Sequence, residues 1–247
     1  MSAAPLLEAR DLRHGYGRRG ASGRLEVLRG VSLTLGAGSL VALVGRSGSG
    51  KSTLARLLAL WERPDSGSVI LEGERVVRPV SPAVRRRVQL VVQDPARSVS
   101  PHFTALEALT EPWLVEGMSA PERLRRARPM LARVELEEGL LERPASTLSG
   151  GQLLRLALGR ALVCEPRVLI LDETFAGLDL PLRSRMTDLL LALLEDSGLA
   201  CLWITHDLAW VSAVADRLMI LREGLLETDA SAAPSAGAQR GRRHLHR

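Results

Sequence analysis

The octapeptide GRSGSGKS, Gly45 to Ser52, carries the most specific chemistry in this sequence. It fits the pattern G-x-x-x-x-G-K-[ST], in which glycines free the backbone to curl its N–H groups around phosphate oxygens. Gly48 and Gly50 do this without a Cβ in the way, and Gly45, Ser47, Ser49 and Thr53 complete the binding stretch. Lys51 supplies a point charge to β and γ phosphates, and Ser52 a hydroxyl for Mg²⁺. Every other basic position of the chain is arginine, so the bias spares a single site, and that site lies inside the motif.

A second cluster gives a nucleotide site its chemistry. RVLILDE, Arg167 to Glu173, is an aliphatic run ending in two acids, the pattern of a central parallel strand buried on both faces. Asp172 would hold Mg²⁺ through its hydration shell, while Glu173 would orient or deprotonate an attacking water. Acidic pairs also open helices, so this pair alone leaves both readings open. Between the clusters lies LSGGQ, Leu148 to Gln152, before an amphipathic run that reaches Val163. Ser149, Gly150 and Gly151 at a helix N-terminus turn free N–H groups and the helix dipole toward an anion, although the pentapeptide alone is equally a simple N-cap.

Together, and in this order, the three motifs resemble those of the ATP-binding subunits of ABC transporters, over about residues 6–228. The resemblance implies roles at further positions. Gln93 in VVQDP matches the Q-loop glutamine that senses Mg²⁺ and the attacking water and faces a membrane subunit. His206 in ITHD matches the switch histidine that touches the γ-phosphate. Ser149 to Gln152 match the signature that meets the partner's ATP, and Asp179 in AGLD the D-loop that crosses the dimer interface, with Ala176 and Gly177 departing from the commoner SALD. Tyr16, the sole tyrosine, lies where the A-loop aromatic stacks on adenine. The stretch QDPARSVSPHFTALEALTEPW resembles QDPxxSLNPxxTVxExIxEP of the dipeptide, oligopeptide and nickel importers. Gln93, Asp94, Pro95, Ser98, Pro101, Thr104, Glu107, Glu111 and Pro112 match, and Ser100 replaces the usual Asn. The short stretch after Thr228 resembles the short ATPase subunits of nickel importers.

The family implies an ATP hydrolase using ATP and Mg²⁺, working as half of a nucleotide-sandwich dimer with a second ABC ATPase, distinct or identical. It implies two membrane permeases as partners, an extracytoplasmic binding protein at one remove, and a peripheral place on the cytoplasmic face of the cell membrane. Nickel or a nickel chelate is the expected cargo, with di- or oligopeptides as the alternative. An alternative of another class is a soluble ABC ATPase of DNA repair or translation, which would carry tandem cassettes or long coiled coils, and the sequence reads as neither. Glu173 and His206 argue against a nonhydrolytic regulator.

Positioning these residues requires alternating strands and helices. Leu40 to Val44 is a strand leading into the phosphate loop, and Leu54, Leu57, Leu58 and Trp61 follow at helical spacing. Further strands are expected over 88–92, 167–173, 199–204 and 217–221, with breakers at GAG 36–38 and PDSG 64–67. The EGLLET segment reads as a turn. Residues 94–147 hold two capping-box starts, Thr104 with Glu107 and Ser119 with Glu122. Pro129 is expected to kink or break its helix, and Gly159 to weaken one by about 1 kcal/mol. The expected fold class is α/β: a P-loop NTPase core of the ABC ATPase type with a parallel sheet, an antiparallel β subdomain and an inserted helical subdomain over about 94–147. The domain spans 1–228, and 229–247 is expected to be a disordered basic tail.

Composition bounds the rest. A chain that is 46% hydrophobic and 25% charged is neither disordered nor fibrous. Its best apolar run, LLLALL at 189–194, falls short of the roughly 18 residues of a membrane helix, and MSAAPLLEARD is no signal peptide, so a cytoplasmic protein is expected. The net charge of +5 is concentrated in the tail, where Arg240, Arg242, Arg243 and Arg247 face only Asp229, so no nucleic-acid partner is expected. Arg85 to Arg87 and Arg123 to Arg128 read as solvated faces. Cys164 and Cys201 read as buried small hydrophobes rather than a disulfide or zinc site.

Overall fold

The computed structural model describes residues 4–17, 24–94, 98–100 and 102–228. The tail at 229–247 and the pattern matches at Pro95 and Pro101 lie outside the described residues. The strands are β1 (Leu7–Tyr16), β2 (Leu25–Leu35), β3 (Leu40–Val44), β4 (Ser66–Leu71), β5 (Glu74–Arg75), β6 (Val88–Val91), β7 (Val168–Asp172), β8 (Ala200–Ile204), β9 (Arg217–Arg222) and β10 (Leu225–Thr228). They form an antiparallel sheet in the order β2-β1-β4-β5 and a six-stranded sheet in the order β10-β9-β3-β8-β7-β6. In the second sheet β9, β3, β8 and β7 run parallel, and β10 returns antiparallel to β9. All of β3 and β8 is buried, as is β7 as far as Leu171. Covered on both faces, these strands have no polar alternation, which is why they read as unbroken apolar runs.

The described residues form two compact units, one drawn from 1–90, 167–173 and 194–247 and the other from 91–166 and 174–193. The first holds the antiparallel sheet, the parallel strands, α1 (Lys51–Leu58) and α2 (Pro82–Arg86). Its β1 and β4 meet where β1 changes register between Arg10 and Arg13. Gly67, at φ +85, fits there because a Cβ would stand 2.3 Å from the Asp11 carbonyl oxygen and 2.5 Å from that of Arg10. Backbone cannot give way as a side chain can, so Gly67→Ala is expected to cost about 3 kcal/mol. A melting curve should then move down by roughly 10 °C, and an unchanged midpoint would refute this packing.

The second unit holds α3 (Ala105–Leu109), α4 (Glu111–Val115), α5 (Ala120–Arg133), α6 (Gly150–Leu162) and most of α7 (Leu180–Ser197). Thr104 caps α3 as expected: its hydroxyl accepts from the Glu107 N–H at 3.2 Å, and the Glu107 carboxylate accepts from the Thr104 N–H at 2.9 Å. The second expected box does not form. Ser119 is the N-cap of α5 without a side-chain bond, because Glu122 is held instead by Arg125 and Arg126 at 2.6 and 2.8 Å. Those hydrogen bonds hold its carboxyl down at about 2. Pro129 does not break the helix: α5 runs through it to Arg133. Burial of Ala127, Met130 and Leu131 around the proline offsets the roughly 3 kcal/mol that a mid-helix proline costs.

The basic run in α5 is solvated only in part. Arg123 is 5% exposed and donates to the Thr110 hydroxyl at 3.0 Å, whereas Arg125, Arg126 and Arg128 face outward. Gly159 earns its place by contact, since a Cβ there would meet Leu109 Cδ1 at 2.6 Å where α6 packs on α3. Two smaller readings also change. EGLLET contains the hairpin strand β10, and Cys164 is half-buried, while Cys201 is fully buried and its thiol correspondingly pushed up.

Candidate functional site

Register brings the C-terminal ends of three parallel strands of the first unit level with one another: Leu43 lies beside Ile204, and Ile204 beside Asp172. From these ends the chain enters the phosphate loop, the Thr205–His206 turn and Glu173. Open parallel sheets receive ligands at this edge. Two crossing bonds fix the exits, Thr205 N–H to the Leu43 carbonyl at 3.1 Å and Glu173 N–H to the Ile204 carbonyl at 2.9 Å.

Lys51 opens α1 behind Gly50 and is only 6% exposed. Its Nζ donates to the carbonyls of Gly45 and Arg46 at 2.8 and 3.1 Å and lies 3.8 Å from Glu173 Oε1. The loop therefore holds the ammonium at its own mouth. Gly45 has a stricter need for glycine than the sequence revealed, because a Cβ would stand 2.4 Å from the Leu221 carbonyl oxygen. Ser47, Gly48 and Ser52 are exposed along the loop, whereas Ser49 and Thr53 are buried.

Asp172, half-buried, shares a hydrogen bond with the Ser52 hydroxyl. Its carboxyl is raised, first by burial and then by the charge of Glu173, against the pull of Ser52 and Lys51. Its Oδ1 is buried with no hydrogen-bond partner. An orphaned carboxylate oxygen beside a hydroxyl is a hard-oxygen pair that suits Mg²⁺. Among the described residues no group of three His, Cys, Asp or Glu could hold a metal.

Glu173 sits between cation and imidazole, 3.8 Å from Lys51 Nζ on one side and 3.5 Å from His206 Nδ1 on the other. Its φ of +49 places it in the left-handed region, at about 1–2 kcal/mol for a residue with a Cβ. Asp11, Leu60, Glu72, Glu135, Glu165 and Glu223 share that conformation, so the strain alone does not mark a site; its position at a strand exit does. The sequence carried no signal for it.

Tyr16, 41% exposed, ends β1, and its hydroxyl reaches Thr53 Oγ1 at 3.3 Å. The sole tyrosine is thus tied to the helix of the phosphate loop. Sequence reasoning missed Arg56 and Glu62, which also meet this hydroxyl, each at 2.9 Å. Only the spacing of Arg56, one helical turn beyond Thr53, could have indicated it.

The structure thus gathers Tyr16, the phosphate loop, Asp172, Glu173 and His206 in the first unit; Gln93, Ser149 to Gln152 and Asp179 belong to the second. Gln93 is exposed just beyond β6. Ser149 and Gln152 form a reciprocal capping box at the start of α6, with bonds of 2.9 and 3.3 Å. Asp179 accepts from the Leu182 N–H at 2.9 Å, capping α7.

Residues 28–176 match the ABC transporter family. The chain belongs to that family. It is 44% identical over 233 residues to a nickel import ATP-binding protein, NikE, of Shigella dysenteriae serotype 1 (strain Sd197), covering 91% of this chain and 87% of that protein. The NikE of Escherichia coli (strain K12) is 43% identical over 231 residues, covering 90% and 86%. Among solved structures, cbiO1 of Clostridium perfringens, part of the transporter complex cbiONQ, superposes with a TM-score of 0.80 at 27% identity, over 92% of this chain and 88% of its own. The cassette MJ0796, in a dimeric post-hydrolysis state bound to ADP and Pi, gives 0.79 at 27% identity, over 91% and 98%. As an ABC ATPase the chain binds and hydrolyses ATP, on a P-loop NTPase core of mixed sheet and helices. Among the described residues no helix is long and apolar enough to cross a membrane.

Proposed function

We propose that the chain powers an ABC importer of nickel or a nickel chelate. The observation that carries this reading is the 44% identity to a nickel import ATP-binding protein along nine-tenths of the chain. The segment from Gln93 to Pro112 supports it, since its pattern is shared by nickel and peptide importers. In this reading Lys51 and the N–H groups of Gly45 to Thr53 hold the phosphates, and Tyr16 stacks on adenine. Mg²⁺, held by Ser52 and Asp172, would offset phosphate charge. Glu173 is the base that takes the proton of the attacking water, and His206, 3.5 Å from it, orients that carboxylate and meets the γ-phosphate. Ser149 to Gln152 serve the ATP of a partner cassette, and Asp179 the seam between the two.

The partner is a second ABC ATPase, distinct or identical, and the pair sits on two permeases at the cytoplasmic face of the membrane, fed by an extracytoplasmic binding protein. Hydrolysis reopens a closed dimer, the two-state element that drives the channel. The cargo is tested by deleting the gene and measuring ⁶³Ni uptake beside uptake of a radiolabelled dipeptide. Loss of nickel uptake alone is the expected result. Loss of dipeptide uptake with nickel uptake intact would establish the peptide reading instead.

A further inference from the structure

Three side chains close a ring of hydrogen bonds around the Tyr16 hydroxyl. Tyr16 Oη–H donates to Glu62 Oε2 at 2.9 Å, Arg56 Nη2 donates to Tyr16 Oη at 2.9 Å, and Arg56 Nε donates to Glu62 Oε1 at 2.7 Å. The hydroxyl thus uses both its donor and its acceptor capacity, each toward a charged group. His14 packs against the same ring edge-to-face, with centroids 5.1 Å apart, and lies 3.4 Å from Glu62 and 3.7 Å from Asp65. Asp65 is in turn paired with Arg24 and accepts from the Gly15 N–H, so the strand end that carries Tyr16 is held from several sides.

We propose that Arg56 and Glu62 are positioning residues for nucleotide binding, which lock the Tyr16 hydroxyl so that the ring meets the base at a set distance from the phosphate loop. The proposal rests on the reading of Tyr16 as the adenine platform. Its physical basis is preorganisation: a half-exposed aromatic ring at a strand end rotates freely unless its far end is tied, and a ligand stacking on a loose ring must fix that rotation itself. Arg56 lies on α1, the helix that Lys51 opens, so the clamp ties the base end of the site to the phosphate end through one rigid element. A phenylalanine would keep the stacking face and lose the clamp.

Calorimetry of MgADP binding to the full chain tests this without hydrolysis. Tyr16→Phe, Arg56→Met and Glu62→Ala are each expected to raise Kd about 3- to 10-fold, the effect of making the ligand immobilise one loose side chain. The double variant Tyr16→Phe with Glu62→Ala should bind no worse than the weaker single one, since both break the same ring. Because the chain has one tyrosine, 3-fluorotyrosine labelling gives a single ¹⁹F resonance, expected to move on MgADP addition and to be displaced beforehand in Glu62→Ala. Tyr16→Phe binding like the parent while Tyr16→Ala loses affinity would leave the platform standing and overturn the clamp. Tyr16→Ala binding like the parent would remove the platform reading and the clamp with it. Lowered melting temperatures with unchanged Kd would show that the ring only staples the fold.

Discussion

Glu173→Gln is expected to lower the turnover of the assembled transporter by about 10² or more while ATP binding persists, a loss of roughly 2.7 kcal/mol of transition-state stabilisation. The substitution keeps the size and hydrogen-bonding reach of the side chain, and it retains the backbone N–H bond to Ile204 that fixes this strand exit. It removes the carboxylate that faces Lys51 on one side and His206 on the other. It also takes away a negative charge next to Asp172 and to the incoming phosphates, so affinity for MgATP should hold or tighten. The protein should then accumulate with ATP uncleaved. Single-turnover hydrolysis and equilibrium ATP binding, measured on the same preparation, separate the two effects. Hydrolysis near the parental rate would mean that another group takes the proton. Loss of binding along with turnover would mean that Glu173 serves the nucleotide rather than the water.

What the sequence made legible follows from where interactions are local. β3 was read at its observed bounds, Leu40 to Val44, because a strand buried on both faces leaves a run of aliphatic residues that a glycine-rich loop then cuts off. The Thr104 box formed because its two members lie within one turn and, among the described residues, no stronger partner competes for Glu107. At Ser119 the same spacing failed, since Arg125 and Arg126 lie one turn beyond Glu122 and outbid a backbone N–H for its carboxylate. Pro129 misled in the opposite sense. Local chemistry argues for a break, but the buried residues on either side keep the helix whole.

The site divides along the same line. Phosphate-loop residues are contiguous, so their chemistry shows in the sequence. The line of Lys51, Glu173 and His206 is made by register between strands far apart in the chain, and no spacing rule reveals its distances. The ring of Tyr16, Arg56 and Glu62 joins the end of β1 to α1 and the residues just after it, a meeting that the sequence does not show. Gly45 shows a subtler gap: its glycine is demanded by the Leu221 carbonyl of a strand 176 positions later, not by the motif in which it stands.

Acylation of Lys51 is expected to abolish ATP hydrolysis, and MgATP to prevent that acylation. The purified chain offers an amine-selective reagent two primary amines, its α-amino group and Lys51, so every equivalent of label can be assigned. Lys51 is buried against two loop carbonyls. The terminus should therefore react first at mildly alkaline pH and Lys51 more slowly, with loss of activity following the slow phase. If Lys51 holds the phosphates, saturating MgATP should slow its labelling about 10-fold or more and leave the terminus unchanged. The same geometry explains why an arginine-rich chain keeps a lysine here. Carbonyls at 2.8 and 3.1 Å enclose a compact ammonium, and a planar guanidinium cannot take that position without displacing them. Lys51→Arg should accordingly bind ATP poorly despite its retained charge. Peptide mapping by mass spectrometry with and without MgATP decides the assignment: equal labelling of Lys51 in both samples would show that this amine holds no phosphate.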